Sequence, residues 1–226
     1  MTGLLRLWHL SGVGHWNTLR AALSLAVANY RVSAAKAQQW RSVKAHKDAG
    51  RRRDLYLDLA QRQALLNNCT GGLRDPVEAA MLTGARPGEL TNATRGQFDE
   101  RTESMTFKGK TGSRVVPLSP AAVTLFKRLA KGKLPSANLL LRDDGKRWAH
   151  SDWDALLRTA VTAAELPAGV VLYTMRHSFI TEALRSGMAT LDVARLTGTS
   201  LPMIEKHYGH LVAEGTRERL EAVVMV

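Results

Sequence analysis

"LTGTSLPMIEKHYGHL", residues 196–211, holds a single tyrosine between two histidines near the end of a helix-like stretch. Apolar residues recur at helical spacing through LDVARLTG and again through LPMIEKHYGH, which predicts two short helices, the second opened by Ser200. Tyr208 therefore sits on a packed helix, in a metal site, or where a phenol reacts. The metal reading is the weakest. His207 and His210 are three residues apart, His177 lies far upstream, Glu205 is the only carboxylate close by, and no cysteine is near. Neither an H-x-x-x-H pair nor a Cys/His finger spacing is present, so no metal and no cofactor is expected. The remaining choice depends on the rest of the chain.

The chain has 226 residues, enough to bury a sizeable core. Its 32 lysines and arginines against 20 acidic residues give a net charge of +12, which makes a polyanion the first partner to consider. Cys69 is the only cysteine, so an internal disulfide is excluded and a reducing compartment is expected. The opening residues lack a signal-peptide pattern, and no apolar run approaches the roughly 20 residues of a membrane helix. A cytoplasmic protein with no membrane partner is the expectation.

Organisation follows from helix punctuation. Residues 17–45 carry one or two helices, and the charged stretch HKDAGRRRD marks a linker, so residues 1–47 form a small N-terminal unit and 48–226 the main one. Asp75, Pro76 and Glu78 predict a capped helix ending near Gly84. Ser119 and Pro120 open another that closes on basic residues and Gly132, and Ser151 with Asp154 opens a third. Thr174 is placed to cap MRHSFITEALRSG, which Gly187 closes. SMTFKGKTGSRVVPLS reads as a hairpin, with a further short strand before the Asp143–Gly145 turn. The fold class is mainly α with a small antiparallel β-sheet.

GKT at 109–111 imitates the end of a nucleotide-binding P-loop, but Ser104 stands where that loop needs glycine, and a hairpin cannot open the required helix. What remains is a set of cations and one nucleophile. Arg86 lies just past a helix end, Arg176 in a first helical turn after Tyr173, Lys110 at the hairpin tip, and Tyr208 in the last short helix. A phosphodiester under attack gains negative charge that planar guanidinium groups stabilise. A tyrosine hydroxyl can form the covalent intermediate, and a lysine or histidine can protonate the departing oxygen. Composition and spacing alone make this set a candidate phosphate-handling site and no more.

The same residues resemble the catalytic domain of the tyrosine recombinases, the phage integrase family. LTGARPGEL matches the first arginine box, which implies Arg86 as a catalytic arginine and Glu89 as the carboxylate that steadies it. KGKTGSRVVPL matches the hairpin-lysine segment and points to Lys110, with Lys108 as the alternative. YTMR stands for the second box, with Arg176 as its arginine, and Tyr208 follows Thr199 at the nucleophile's interval. Tyr173 and Thr199 occupy positions that usually hold histidine, or histidine or tryptophan. Both can donate a hydrogen bond to a phosphate oxygen, and neither is a base near pH 7. Activation of Tyr208 then rests on the arginines, the substrate phosphate or His177.

The resemblance spans about residues 52–215, and residues 17–45 resemble the last helices of the family's core-binding domain. It implies a tyrosine recombinase catalytic-domain fold and a site-specific recombinase or integrase that cuts duplex DNA through a 3′-phosphotyrosyl link, without ATP or metal. It also implies a homotetramer on two DNA sites, a monomer when free, in a bacterial or phage setting at the nucleoid. The apolar end of LVAEGTRERLEAVVMV implies a tail that docks on a neighbouring protomer or folds back on its own. Arg51, Arg52, Arg53, Lys108, Lys131 and Lys133 are the expected backbone contacts to DNA. A type IB-like topoisomerase and a catalytically impaired DNA-binding remnant are the competing readings.

Overall fold

The computed structural model describes residues 13–43, 55–109, 112–149, 152–214, 216–221 and 223–224. Two compact units divide the chain at residues 53 and 54. The first contains helices α1 (Val13–Ala28) and α2 (Ala34–Arg41), which contact each other. The second contains α3 (Leu59–Asn67), α4 (Arg74–Thr83), α5 (Pro87–Thr91), β1 (Phe98–Asp99), β2 (Ser104–Gly109), β3 (Gly112–Pro117), α6 (Pro120–Ala130), α7 (Asp152–Ala163), α8 (Leu172–Arg185), α9 (Thr190–Thr197), α10 (Leu201–Glu214) and α11 (Thr216–Glu221). The mainly helical class with a small antiparallel sheet is thus the observed one. None of the helices among the described residues is long and apolar enough to cross a membrane.

Helix starts show where local chemistry decides and where packing overrides it. Asp58 and Gln61 form a reciprocal capping box on α3, at 2.8 and 3.0 Å. Ser119 caps α6 with Pro120 in its first turn, as the sequence predicts. At α4 the helix begins at Arg74, before the expected cap, and the Asp75 carboxylate instead meets the Arg128 guanidinium of α6 at 2.7 Å. Asp75 still lies in the first turn, where the helix dipole favours a carboxylate. Thr174 is likewise three residues inside α8, not outside it: its hydroxyl accepts from the Val171 N–H at 3.0 Å. Ser151 lies outside the described residues, and Asp152 next to it accepts from the Ala149 N–H at 2.8 Å.

The sheet runs β1-β2-β3, antiparallel throughout. β1 is an addition to the predicted hairpin: two residues pair Phe98 with Met105 and Asp99 with Ser104. On β2 the alternation of side chains buries Met105 and Phe107. Their partners on β3 are Val116 and Arg114, so the register carries Arg114 onto the inward face. The Asp143–Gly145 turn is flanked by an isolated bridge between Leu141 and Arg147 in place of a full strand.

Two hydrophobic clusters hold the second unit. The larger gathers residues such as Leu65, Val77, Leu90, Phe107, Phe126, Leu140 and Met175 from α3 through α8. Each fully buried side chain of this size contributes roughly 2 kcal/mol of transfer free energy. α4 packs against α8 at its centre. The smaller cluster joins α8, α9 and α10 through Ile180, Leu184, Val193, Ile204, Tyr208 and Leu211. Ile204, Tyr208 and Leu211 share one face of α10 at spacings of four and three. That helix continues to Glu214, past the predicted end near His210, and the apolar side chains of Leu220, Val223 and Val224 beyond it are exposed.

Candidate active site

Two helix stops place the arginines. α4 ends on Gly84 and α9 on Gly198, both left-handed, with φ of 61° and 63°. Each stop leaves carbonyls that the helix cannot pair internally. Arg176, on α8, donates from Nη1 to the Gly84 carbonyl at 2.7 Å and the Thr197 carbonyl at 2.6 Å. Arg86, between α4 and α5, donates from Nη2 to the carbonyl of Gly198. The two guanidinium groups, 90 residues apart in sequence, thus converge on successive carbonyls, Thr197 and Gly198.

Arg176 is 1% exposed, and burial pulls its pKa below the ordinary guanidinium value. Glu89 is the carboxylate of the group. It accepts from the Arg86 N–H and Nη1, both at 2.9 Å, and from Arg114 in a two-pronged contact at 2.7 and 2.8 Å. Burial alone would raise its pKa, but the Arg114 hydrogen bonds, the Arg86 N–H and the Arg114 charge outweigh that and hold it at about 2. Three guanidinium groups, those of Arg86, Arg114 and Arg176, therefore stand beside one carboxylate.

Arg114 carried no assigned role in the sequence reading. Its Nε donates to the Leu196 carbonyl at 2.9 Å, and its guanidinium lies 5.3 Å from the Phe107 ring centre. It thereby ties β3, α5 and the end of α9 together. The available signal was its position two residues before the inward-facing Val116, which puts a cation on the buried side of a strand. Gly198 was missed as well: a Cβ there would lie 2.8 Å from Arg114 Nη1. An open pocket of about 460 Å³ lies along this side, lined by Arg86, Glu89, Arg114, Arg195 and Gly198 among others.

Tyr208 is 9% exposed, and its hydroxyl is hydrogen-bonded to His177 Nδ1. Tyr173, one helical turn before His177, contacts that imidazole edge-on at 5.1 Å and lies 5.9 Å from the Arg176 guanidinium carbon. Arg176, Tyr173, His177 and Tyr208 are therefore contiguous. Thr199 directly follows Gly198, its N–H donating to the Ala194 carbonyl at 3.1 Å.

The basic residues expected at DNA divide. Lys110 and Arg51, Arg52 and Arg53 lie outside the described residues. Lys108 is exposed on β2 and Lys131 at the end of α6. Lys133 is engaged in the fold, its Nζ donating to the Asn138 and Leu139 carbonyls at 3.0 and 2.7 Å, with burial lowering its pKa. Among the described residues, no three His, Cys, Asp or Glu side chains gather as a metal site would need.

A sequence model of the Phage integrase family matches residues 56–214. The chain belongs to the phage integrase family. Among curated phage integrase relatives, tyrosine recombinase XerD of Mycobacterium tuberculosis is 28% identical over 154 residues, which cover 64% of this chain and 50% of that protein. The chain spans about half the length of the curated relatives it matches. The Tn1549 transposon integrase, solved in complex with circular intermediate DNA, has a TM-score of 0.71 at 18% identity, covering 98% of this chain and 83% of that one. The catalytic domain of bacteriophage HP1 integrase has a TM-score of 0.56 at 23% identity, covering 74% and 93%. At these identities the structures establish that the fold is that of phage integrase catalytic domains.

Proposed function

We propose that this chain is a tyrosine-type site-specific recombinase that breaks and rejoins duplex DNA through a 3′-phosphotyrosyl intermediate. The observation that carries the reading is the convergence of Arg86 and Arg176 on the Thr197 and Gly198 carbonyls, in contiguity with Tyr208 through Tyr173 and His177. Desolvating a cation such as Arg176 costs several kcal/mol, and two carbonyls offset only part of it. One carboxylate, Glu89, stands among three guanidinium groups, and a phosphate oxygen supplies further negative charge.

In this reading Tyr208 attacks the scissile phosphate while Arg86 and Arg176 hold its non-bridging oxygens, with Tyr173 and Thr199 as further donors. Glu89 steadies Arg86, and Lys110 protonates the departing 5′-oxygen. The XerD relatives and the Tn1549 integrase bound to DNA support DNA as the partner. Exchange between two duplexes takes four protomers, with residues 1–47 belonging to a core-binding unit and the exposed tail after α10 docking on a neighbour. Lys108 and Lys131, with Arg51, Arg52 and Arg53, serve the DNA backbone. The net charge of +12 favours that partner and a bacterial cytoplasmic setting fits it.

The test is a nicked suicide duplex carrying the target site. Intact protein should form a denaturant-resistant adduct that Tyr208→Phe does not form. Absence of the adduct on a verified site would refute the proposal.

A further inference from the structure

We infer that His177 is the base that takes the phenolic proton as Tyr208 attacks phosphate. The inference rests on the recombinase reading and adds a residue to its chemistry. Tyr208 is nearly closed to solvent, and its helix is fixed by Ile204 and Leu211 in the small cluster. Its hydroxyl is hydrogen-bonded to Nδ1 of His177, across from α10 on α8. Glu89, the carboxylate of the site, is engaged by Arg86 and Arg114 and its pKa is held at about 2, too weak a base for this role. Arg86 and Arg176 are cations, Tyr173 is a phenol like Tyr208 itself, and Thr199 offers an alcohol.

The placement is a consequence of helix geometry. Arg176 and His177 are successive residues of α8, so one helical turn presents the cation that faces phosphate beside the imidazole that faces the nucleophile. Tyr173, four residues before His177, braces the imidazole edge-on. The neutral tautomer that serves is the one protonated on Nε2, which puts the accepting lone pair on Nδ1.

An imidazole is far less basic than a phenolate, so the proton moves together with bond formation and not before it. The bond from phosphorus to Tyr208 Oη forms, the bond from phosphorus to the 5′-oxygen breaks, and the phenolic proton passes to His177 Nδ1. The leaving oxygen takes its proton from the acid of the site, Lys110 in the reading above. On rejoining, a 5′-hydroxyl attacks and gives its proton to that lysine, the phosphotyrosyl bond breaks, and the imidazolium returns its proton to Tyr208. Nothing is oxidised or reduced, and both groups end as they began.

The experiment measures single-turnover adduct formation against pH on the nicked duplex, with His177→Asn, His177→Gln and His177→Ala beside the intact chain. Asparagine keeps a hydrogen-bonding group near the Nδ1 position but cannot take the proton. Intact protein should speed up with pH through the imidazole range. His177→Asn should form the same adduct about a hundredfold more slowly and without that rise, and added imidazole should partly restore His177→Ala. Glutamine serves if asparagine does not fold. Adduct formation by the folded variants at the intact rate, or faster, would overturn the proposal, since His177 would then only park the tyrosine.

A DNA-free measurement separates the two readings. In ¹⁵N-histidine NMR, Tyr208→Phe should shift one Nδ1 resonance, and no shift would overturn the proposal. If the resonance responds but intact protein makes no adduct on a verified site, the recombinase reading fails and the proposal with it. If the adduct forms and only the pH rise persists in His177→Asn, His177 alone is refuted.

Discussion

Arg114 and Glu89 face each other through two parallel hydrogen bonds, Nη1 to Oε1 at 2.7 Å and Nη2 to Oε2 at 2.8 Å. The pair joins β3 to α5, and Glu89 passes the constraint on to Arg86. A lysine cannot reproduce the fork. Arg114→Lys and Arg114→Ala should therefore lose about 3 kcal/mol in urea unfolding, as expected when one partner of a buried pair is removed. They should also slow adduct formation while leaving the nucleophile in place. Unchanged stability in both would show that the pair contributes nothing to the fold.

Glu89 makes stability depend on acid. Its folded pKa is held at about 2, below the ordinary 4.5, so its contribution is present in full above 4.5 and disappears as pH falls toward 2. The difference corresponds to about 3 kcal/mol at neutral pH. The stability gap between intact protein and Glu89→Gln should be largest near pH 6 to 7 and close steadily on acidification from 4.5 to 2. A gap independent of pH would contradict the assignment.

Alanine at the helix stops should rank by space as well as by backbone. A Cβ at Gly84 would lie 2.4 Å from Phe179 Cδ1, and one at Gly198 would lie 2.8 Å from Arg114 Nη1. Gly187 has a φ of 84° but open space around it. Gly187→Ala should cost about 1 kcal/mol from backbone strain alone, and Gly84→Ala about 3 kcal/mol once overpacking is added. Gly198→Ala should also displace Arg114 and reduce activity beyond its stability loss. Thermal unfolding of the three variants gives the order directly.

The Cys69 thiol, which lies against the Leu65 carbonyl, is pushed up to about 11 by burial. Ellman's reagent at pH 8 should react slowly with folded protein and rapidly in urea. Fast reaction in the folded state would place the thiol elsewhere.

Much of this molecule is legible before any coordinates. Glycine stops and Ser119 define helix ends locally, and the residues flanking the hairpin announce β2 and β3. The family spacing selects Arg86, Arg176 and Tyr208, which the fold gathers. Arg114 was legible only as a cation two residues before Val116, because its role requires the Phe107 to Arg114 register and the contact with Glu89 on α5. β1, with two residues, is too short for any alternation to show. Asp75 and Thr174 were read as caps because their side chains suit that job. Contact with Arg128 and a helix start two residues earlier reassigned them.

Main-chain carbonyls at two helix stops seat both Arg176 and Arg86, with the Glu89 carboxylate as a second hold on Arg86. Carbonyls are common to all twenty amino acids, so no point substitution deletes these seats, and only a change in the path of the chain can move them. A side-chain change at Thr199 therefore leaves the Thr197 and Gly198 carbonyls in place for both arginines. The hold on the two guanidinium groups is thus set by the course of the backbone more than by the side chains around them.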